Sequence, residues 1–387
     1  VVKNNMSAIN TLNTLNKNHS ALSKSLQKVS SGMRINSAAD DASGYAISER
    51  MRVQIRSLDQ DNKNTQNGNA MMKVAEGAVQ STVDILKTLK EKVINAANDT
   101  NTDSDRQQIQ KELDQSIDQI NDNANVTYNG KYLVDGSHNS KVTATKTHLT
   151  NASLASNTDW STTLTALSNR SGESLNIQSN DTVTVSIVNE GKTYITSFQV
   201  GAAGDMNTII TKANLAKAGS DVLNTATSLV AGSTASSIGN GPSTDLISTP
   251  NLENAMTINA NVAGVKTQIA GFTISITDTN GNINKSANAV LDNFNESIRA
   301  QNDSADNAIV LQTGTRANQA IKVGLTDMRA QALGLQGANG DTLNVSTQKN
   351  ANAAINVLDN AIQKALDQQT TIGSIESRLE YTSTNLT

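Results

Sequence analysis

Two aspartates stand side by side at Asp40 and Asp41, and paired carboxylates are what a metal site or an acid–base couple needs. Their spacing argues against both uses. Neighbours on a helix point about 100° apart, so the two groups diverge. Ahead of Ala42-Ser43-Gly44 they suit the positive end of a helix, as caps. The stretch DTNTDSD (99–105) begins like a calcium loop, but Ser104 stands where the turn needs Gly and Gln110 where the last ligand should be Glu. A capped loop is expected there. Gly191-Lys192-Thr193 resembles the tail of a phosphate loop, with Ser186 in place of the upstream glycine, and lies between strand-like segments as a hairpin turn would. The three histidines, His19, His138 and His148, belong to neither a zinc-helix motif nor a nucleophile elbow. His19 falls on a heptad position and is expected to be packed or half-exposed on a helical seam. No convergent set survives, so the chain reads as a non-enzyme with no catalytic, cofactor or metal residues.

The composition narrows the class further. Three Phe, five Tyr and one Trp leave any core to Leu, Ile, Val, Ala and Met, which suits slender helix packing. A net charge of −4 offers no basic stripe for phosphates, and the shortage of aromatics offers few platforms for bases, so nucleic acid is a poor partner. There is no cysteine, which excludes disulfides and thiolate chemistry together. No apolar run approaches the roughly 20 residues that cross a bilayer, and VVKNNMSAIN lacks the layout of a cleaved signal peptide. The expectation is a chain in water that leaves the cell, if at all, by another route.

What would position such a chain is helix. The first proline is Pro242. Leu12, Leu15, His19, Leu22, Leu26, Val29 and Met33 fall at alternating spacings of three and four, the seam of a coiled coil. The grid resumes at Met51, Ile55 and Leu58, weakens through DQDNKNTQNGN (59–69), and returns at Met72, Val79, Val83, Leu86 and Val93. A helix over 46–98 would be about 80 Å long. Asp103-Ser104 is expected to cap a third helix striped by Ile109, Leu113, Ile117 and Ile120. Asn129-Gly130 between Tyr128 and Tyr132 predicts a tight hairpin, since both turn positions tolerate positive φ. Residues 138–306 turn rich in Ser, Thr, Asn and Gly, with alternating TVTVSIV (182–188) and GFTISIT (271–277) and a helical connection over 205–218. This reads as a β-rich insert with a small core of its own. Helical grammar returns near Ile309, and Ala351, Ala354, Leu358, Ala361, Ala365, Ile372, Ile375, Leu379 and Leu386 share one grid. Each buried Leu or Ile contributes roughly 1.5–3 kcal/mol, so these stripes need partners, and the simplest are each other. The expected fold is mainly α at both ends, an elongated, antiparallel, coiled-coil-like bundle of N- and C-terminal segments, with the β-rich insert between.

One stretch then gains a meaning. SSGMRINSAADDASGYAIS (30–48) closely resembles the signature after the first helix of bacterial flagellins. The resemblance continues through AEGAVQ (75–80), TYNGKYLVDG (127–136), GTRANQAIKVGLTDMRAQALG (314–334) and the run 354–387, covering nearly all of 1–137 and 307–387. It implies a self-assembling subunit of the flagellar filament, extracellular, exported unfolded by the flagellar type III apparatus, with an export chaperone and a filament cap as further partners. Under it, 1–40 would be the filament-core helix and joint, 41–137 and 307–387 the two parts of a helical rod domain, and 138–306 the variable, surface-exposed insert. Gly32, Arg34, Asn36, Asp40, Asp41 and Gly44 would form the joint between an inner and an outer helical layer.

The resemblance also implies docking to Toll-like receptor 5 through an Arg, a Leu and a Glu. Here Thr88 stands for the Arg, Lys92 for the Leu, and Glu112 keeps the acid, so weakened recognition is expected. Flagellins normally continue past the NLT that ends this sequence into a last apolar helix, so a C-terminally truncated chain that forms no normal filaments is expected. The rival readings are a hook–filament junction protein, which shares the terminal helices, and an adhesin carried on a flagellin-like scaffold.

Overall fold

The computed structural model describes residues 5–155, 158, 161–202, 204–216 and 256–386. In chain order these form α1 (Met6–Ser31), α2 (Ala42–Ala96), α3 (Asp103–Ala124), β1 (Thr127–Tyr128), β2 (Lys131–Tyr132), β3 (His148–Asn151), β4 (Thr182–Asn189), β5 (Lys192–Gln199), α4 (Met206–Ala216), β6 (Met256–Asn259), β7 (Gly271–Thr277), α5 (Lys285–Leu291), β8 (Asn295–Ile298), β9 (Ile309–Gln312), β10 (Ala320–Val323), α6 (Ala330–Leu333) and α7 (Gln348–Leu386). They divide into two compact units. One holds Val1–Asn67, Gln312–Ile321 and Tyr381–Thr387, the other Gly68–Leu311 and Lys322–Glu380.

In the first unit α1 keeps the seam read from its heptads, but among the described residues nothing covers it. Leu12, Leu15, Leu22, Leu26 and Val29 are 56–80% exposed, and His19 is exposed rather than packed. Gly32 ends the helix at φ +67°, a left-handed position that glycine takes without a Cβ penalty. Helix α2 begins ten residues later and runs unbroken through the polar 59–69, since Asn and Gly weaken a helix without the steric clash of proline. Asn62 accepts from the Ser383 hydroxyl at 2.8 Å, which joins α2 to the end of α7 inside this unit.

In the second unit the α2 stripe is dry: Met72, Val79, Val83, Leu86 and Val93 are fully buried. So are Leu113, Ile117 and Ile120 of α3, and Ala351, Ala354, Leu358, Ala361, Ala365, Ile372 and Leu379 of α7. Lys90 is ion-paired to Asp359, and Gln369 Nε2 donates to Gln80 Oε1 at 2.5 Å. As α2 numbers rise, their α7 partners fall, so the two helices run antiparallel. The cap of α3 differs from expectation. Thr102, not Asp103-Ser104, is the N-cap, because its hydroxyl and the Asp105 carboxylate close a reciprocal capping box.

The hairpin β1–β2 turns on Asn129 and Gly130 at φ +50° and +75°, and β4–β5 turns on Glu190-Gly191, where the phosphate-loop look-alike lies. Strand β4 sits between β5 and β7, all antiparallel, and β3 between β6 and β8. The insert's core is not small. Val183, Val185, Ile187, Phe272, Ile274 and Ile276 of one sheet, Leu149 and Ile258 of the other, and Ile209, Ile210 and Leu291 of the helices share a single buried cluster. Alternation hides this in the composition, because Val183, Val185, Phe272, Ile274 and Ile276 are each followed by a Thr or Ser on the other face. Residues 307–347 also depart from helical grammar. They carry β9, β10 and only the one-turn α6, consistent with β-branched Ile321 and Val323 and with frequent glycines.

Candidate assembly and recognition surfaces

Within the first unit, the joint after α1 is built by side chains returning to the backbone. Ser31 Oγ donates to Asn36 Oδ1 at 2.9 Å, and Asn36 Nδ2 returns to the Gln27 carbonyl at 3.3 Å. Asp40 Oδ2 accepts from the N–H groups of Asn36 and Ser37 at 3.2 and 3.3 Å, and its other oxygen lies 3.3 Å from Lys28 Nζ. The Asn36 backbone bond first, then Lys28, holds the Asp40 carboxyl below its usual range. Asp41 Oδ1 accepts from Gly44 N at 3.0 Å, at the start of α2. A side chain on Gly44 would collide with Asp41 and Ile35. Arg34 is exposed. The two aspartates thus face different donors, and their chemistry is that of capping and turning the chain.

In the second unit, the residues expected to face a receptor lie on α2 and α3. Lys92 Nζ is 3.0 Å from the Glu112 carboxylate. Thr88 is exposed and returns its hydroxyl to the Asp84 carbonyl at 3.0 Å. The Glu112 carboxylate is therefore already engaged by Lys92 within the chain. Nearby, 99–105 is a capped turn locked by a residue that sequence reading passed over. Arg106 is 5% exposed, and its guanidinium donates to the carbonyls of Ala96 at 2.8 Å and Asn98 at 3.0 Å and to Asp103 at 2.8 Å. Its signal was a lone basic residue just behind an acidic loop. Of the histidines, His148 is buried on β3, while His138 is half-buried beside the Asn307 carbonyl. Among the described residues, no group of three His, Cys, Asp or Glu could hold a metal ion, and no helix is long and apolar enough to cross a membrane.

The antiparallel pairing of α2 with α7, and the apolar seam that α1 leaves exposed among the described residues, are features of a chain that packs helix against helix. Comparison with known proteins makes this specific. Residues 2–139 match the family model described as the bacterial flagellin N-terminal helical region. The chain is 31% identical to a flagellin of Clostridium tyrobutyricum over 388 aligned residues, spanning 100% of this chain and 87% of that one. It is 46% identical to a flagellin of Bacillus subtilis (strain 168) over 140 residues, 35% of this chain and 46% of that one. A crystal structure of the flagellar junction protein FlgL from Legionella pneumophila aligns over 86% of this chain and 99% of its own, at 13% identity and a TM-score of 0.33, too loose a match to bear on function.

The chain belongs to the flagellin family. It is a structural subunit of the extracellular bacterial flagellar filament, assembles with copies of itself, and is not an enzyme.

Proposed function

We propose a division of labour within this filament subunit. Residues 1–40 supply a filament-core helix and joint, 41–137 and 307–387 supply a rod that packs against neighbouring subunits, and 138–306 are displayed outward. The observation that carries it is the antiparallel pairing of Gln80 with Gln369 and of Lys90 with Asp359, which folds sequence-distant rod segments onto one another. The joint of Gly32, Arg34, Asn36, Asp40, Asp41 and Gly44 sets the path between core and rod. Partners beyond the homopolymer are the export chaperone and the filament cap. Immunogold labelling with antibody raised against 138–306 tests the reading. Gold along the whole length of intact filaments is expected, while gold confined to the hook end would favour a junction protein.

Recognition by Toll-like receptor 5 is weaker in this chain than in flagellins that carry the Arg–Leu–Glu set. The support is the Lys92–Glu112 ion pair, which must open before the acid can meet a receptor cation, and the replacement of a guanidinium fork by the Thr88 hydroxyl.

A further inference from the structure

In the second unit, Lys364 and Gln368 stand one turn apart on α7 and line a hollow of about 540 Å³, whose other walls include Asp135, Arg299, Asp303, Asp327, Arg329 and Asp367. Most of the charge there is already matched. Arg329 clasps Asp327 through Nε and Nη2 at 3.0 and 2.6 Å. Arg299 reaches Asp367 at 2.6 Å and Glu296 at 3.5 Å. Two donor groups on α7 are not matched. Lys364 gives one proton to the Ala332 carbonyl at 2.5 Å, and among the described residues no carboxylate lies within ion-pair distance of it. An ammonium carries three donors. Gln368 is 4% exposed; its Oε1 accepts from the Thr326 hydroxyl at 2.6 Å, while its Nε2 meets no acceptor.

A buried amide donor without an acceptor is costly, and a half-buried cation without a contact anion is poorly compensated. Burial pushes the Lys364 ammonium down, with Glu296 and Asp327 opposing that from a distance and Arg299 adding to it. Both groups ask for the same partner. We propose that this hollow binds a small oxyanion, a carboxylate or a phosphate, held between Lys364 Nζ and Gln368 Nε2. Arg299, on the facing wall, adds longer-range attraction. The occupied site joins the segment after β8, the segment around α6 and α7, three stretches far apart in sequence.

Thermal unfolding of the whole chain, titrated separately with inorganic phosphate and with acetate at an ionic strength fixed by chloride, tests it. A saturable rise in Tm is expected with at least one of the two, and the stronger response names the class, since a ligand bound only to the folded state raises stability. Lys364→Met should weaken that response at least tenfold. Gln368→Glu keeps an acceptor for Thr326 and sets a tethered carboxylate one turn from Lys364. It should raise Tm without added anion and abolish the response. No saturable response to either anion, or an undiminished response in both variants, overturns the proposal.

Discussion

Gly271, at the start of β7, faces Val357 of α7 so closely that a Cβ on the glycine would stand 2.7 Å from Val357 Cγ2 and 3.3 Å from its backbone nitrogen. The strand can lie on the helix only because position 271 has no side chain. Asn356 and Asn360 finish the contact by donating to the carbonyls of Phe272 and Ala270 at 3.3 and 2.9 Å. Strand β7 is thereby seated on α7 within one unit.

Gly271→Ala should accordingly cost about 1–3 kcal/mol, the usual penalty of overpacking a filled contact. A lowered denaturant midpoint with an unchanged slope would show it. Stability equal to the parent chain would mean that β7 does not rest on α7.

Asp292, at the C-terminal end of α5, gives a pH test. Burial lifts its carboxyl to about 6, against the weaker pull of the Ile274 N–H and the Asn356 amide. An unfolded chain releases that proton near pH 4, so the folded state holds it more tightly. The stabilisation this brings is complete below about pH 4 and is lost as pH rises through about 6. Asp292→Asn should therefore be the more stable chain at neutral pH, by up to about 3 kcal/mol. The margin should close towards about pH 4, and paired unfolding curves across that range would reveal it.

Much of this architecture could be read from spacing alone. The grids of α1, α2 and α7 run for several turns, and a stripe of that length has one cheap solution. What escaped reading was built by residues remote in sequence. His148 pairs with Asn259 on one side and Ile298 on the other, a register no local pattern encodes. Thr102 became the α3 cap only through the reciprocal reach of Asp105. The hollow at Lys364 and Gln368 needs Arg299 and Thr326 to close it, and neither bears any local sign of the other. The joint was legible as a class of residues, small and capping, while the bonds from Asn36 to Gln27 and from Asp40 to Lys28 were not.

Arg106 fastens the α2–α3 turn by capping two α2-side carbonyls. Arg106→Met leaves those acceptors unmet and should lower stability by about 2–4 kcal/mol. Amide exchange should quicken over 94–104 ahead of the rest of α2. Uniform exchange across the helix would show that the turn has other supports.

On the proposed receptor contact, Thr88→Arg with Lys92→Leu supplies a guanidinium fork, removes the ammonium and frees Glu112. Signalling through Toll-like receptor 5 should rise at least tenfold over the parent chain, a gain of about 1.4 kcal/mol in docking. An unchanged response would assign Thr88 and Lys92 to an ordinary solvated face.

The fold of the second unit depends most on α2 and α7 lying antiparallel within one subunit, and the absence of cysteine makes that contact open to a clean chemical measurement. Gln80→Cys with Gln369→Cys, treated as dilute monomer with a short bifunctional maleimide, should give one internally bridged species of monomer mass. Pairing Gln80→Cys with a cysteine at Asp359 should bridge far more slowly. Bridging only between molecules, or equal rates for both pairs, would contradict the antiparallel pairing of α2 and α7.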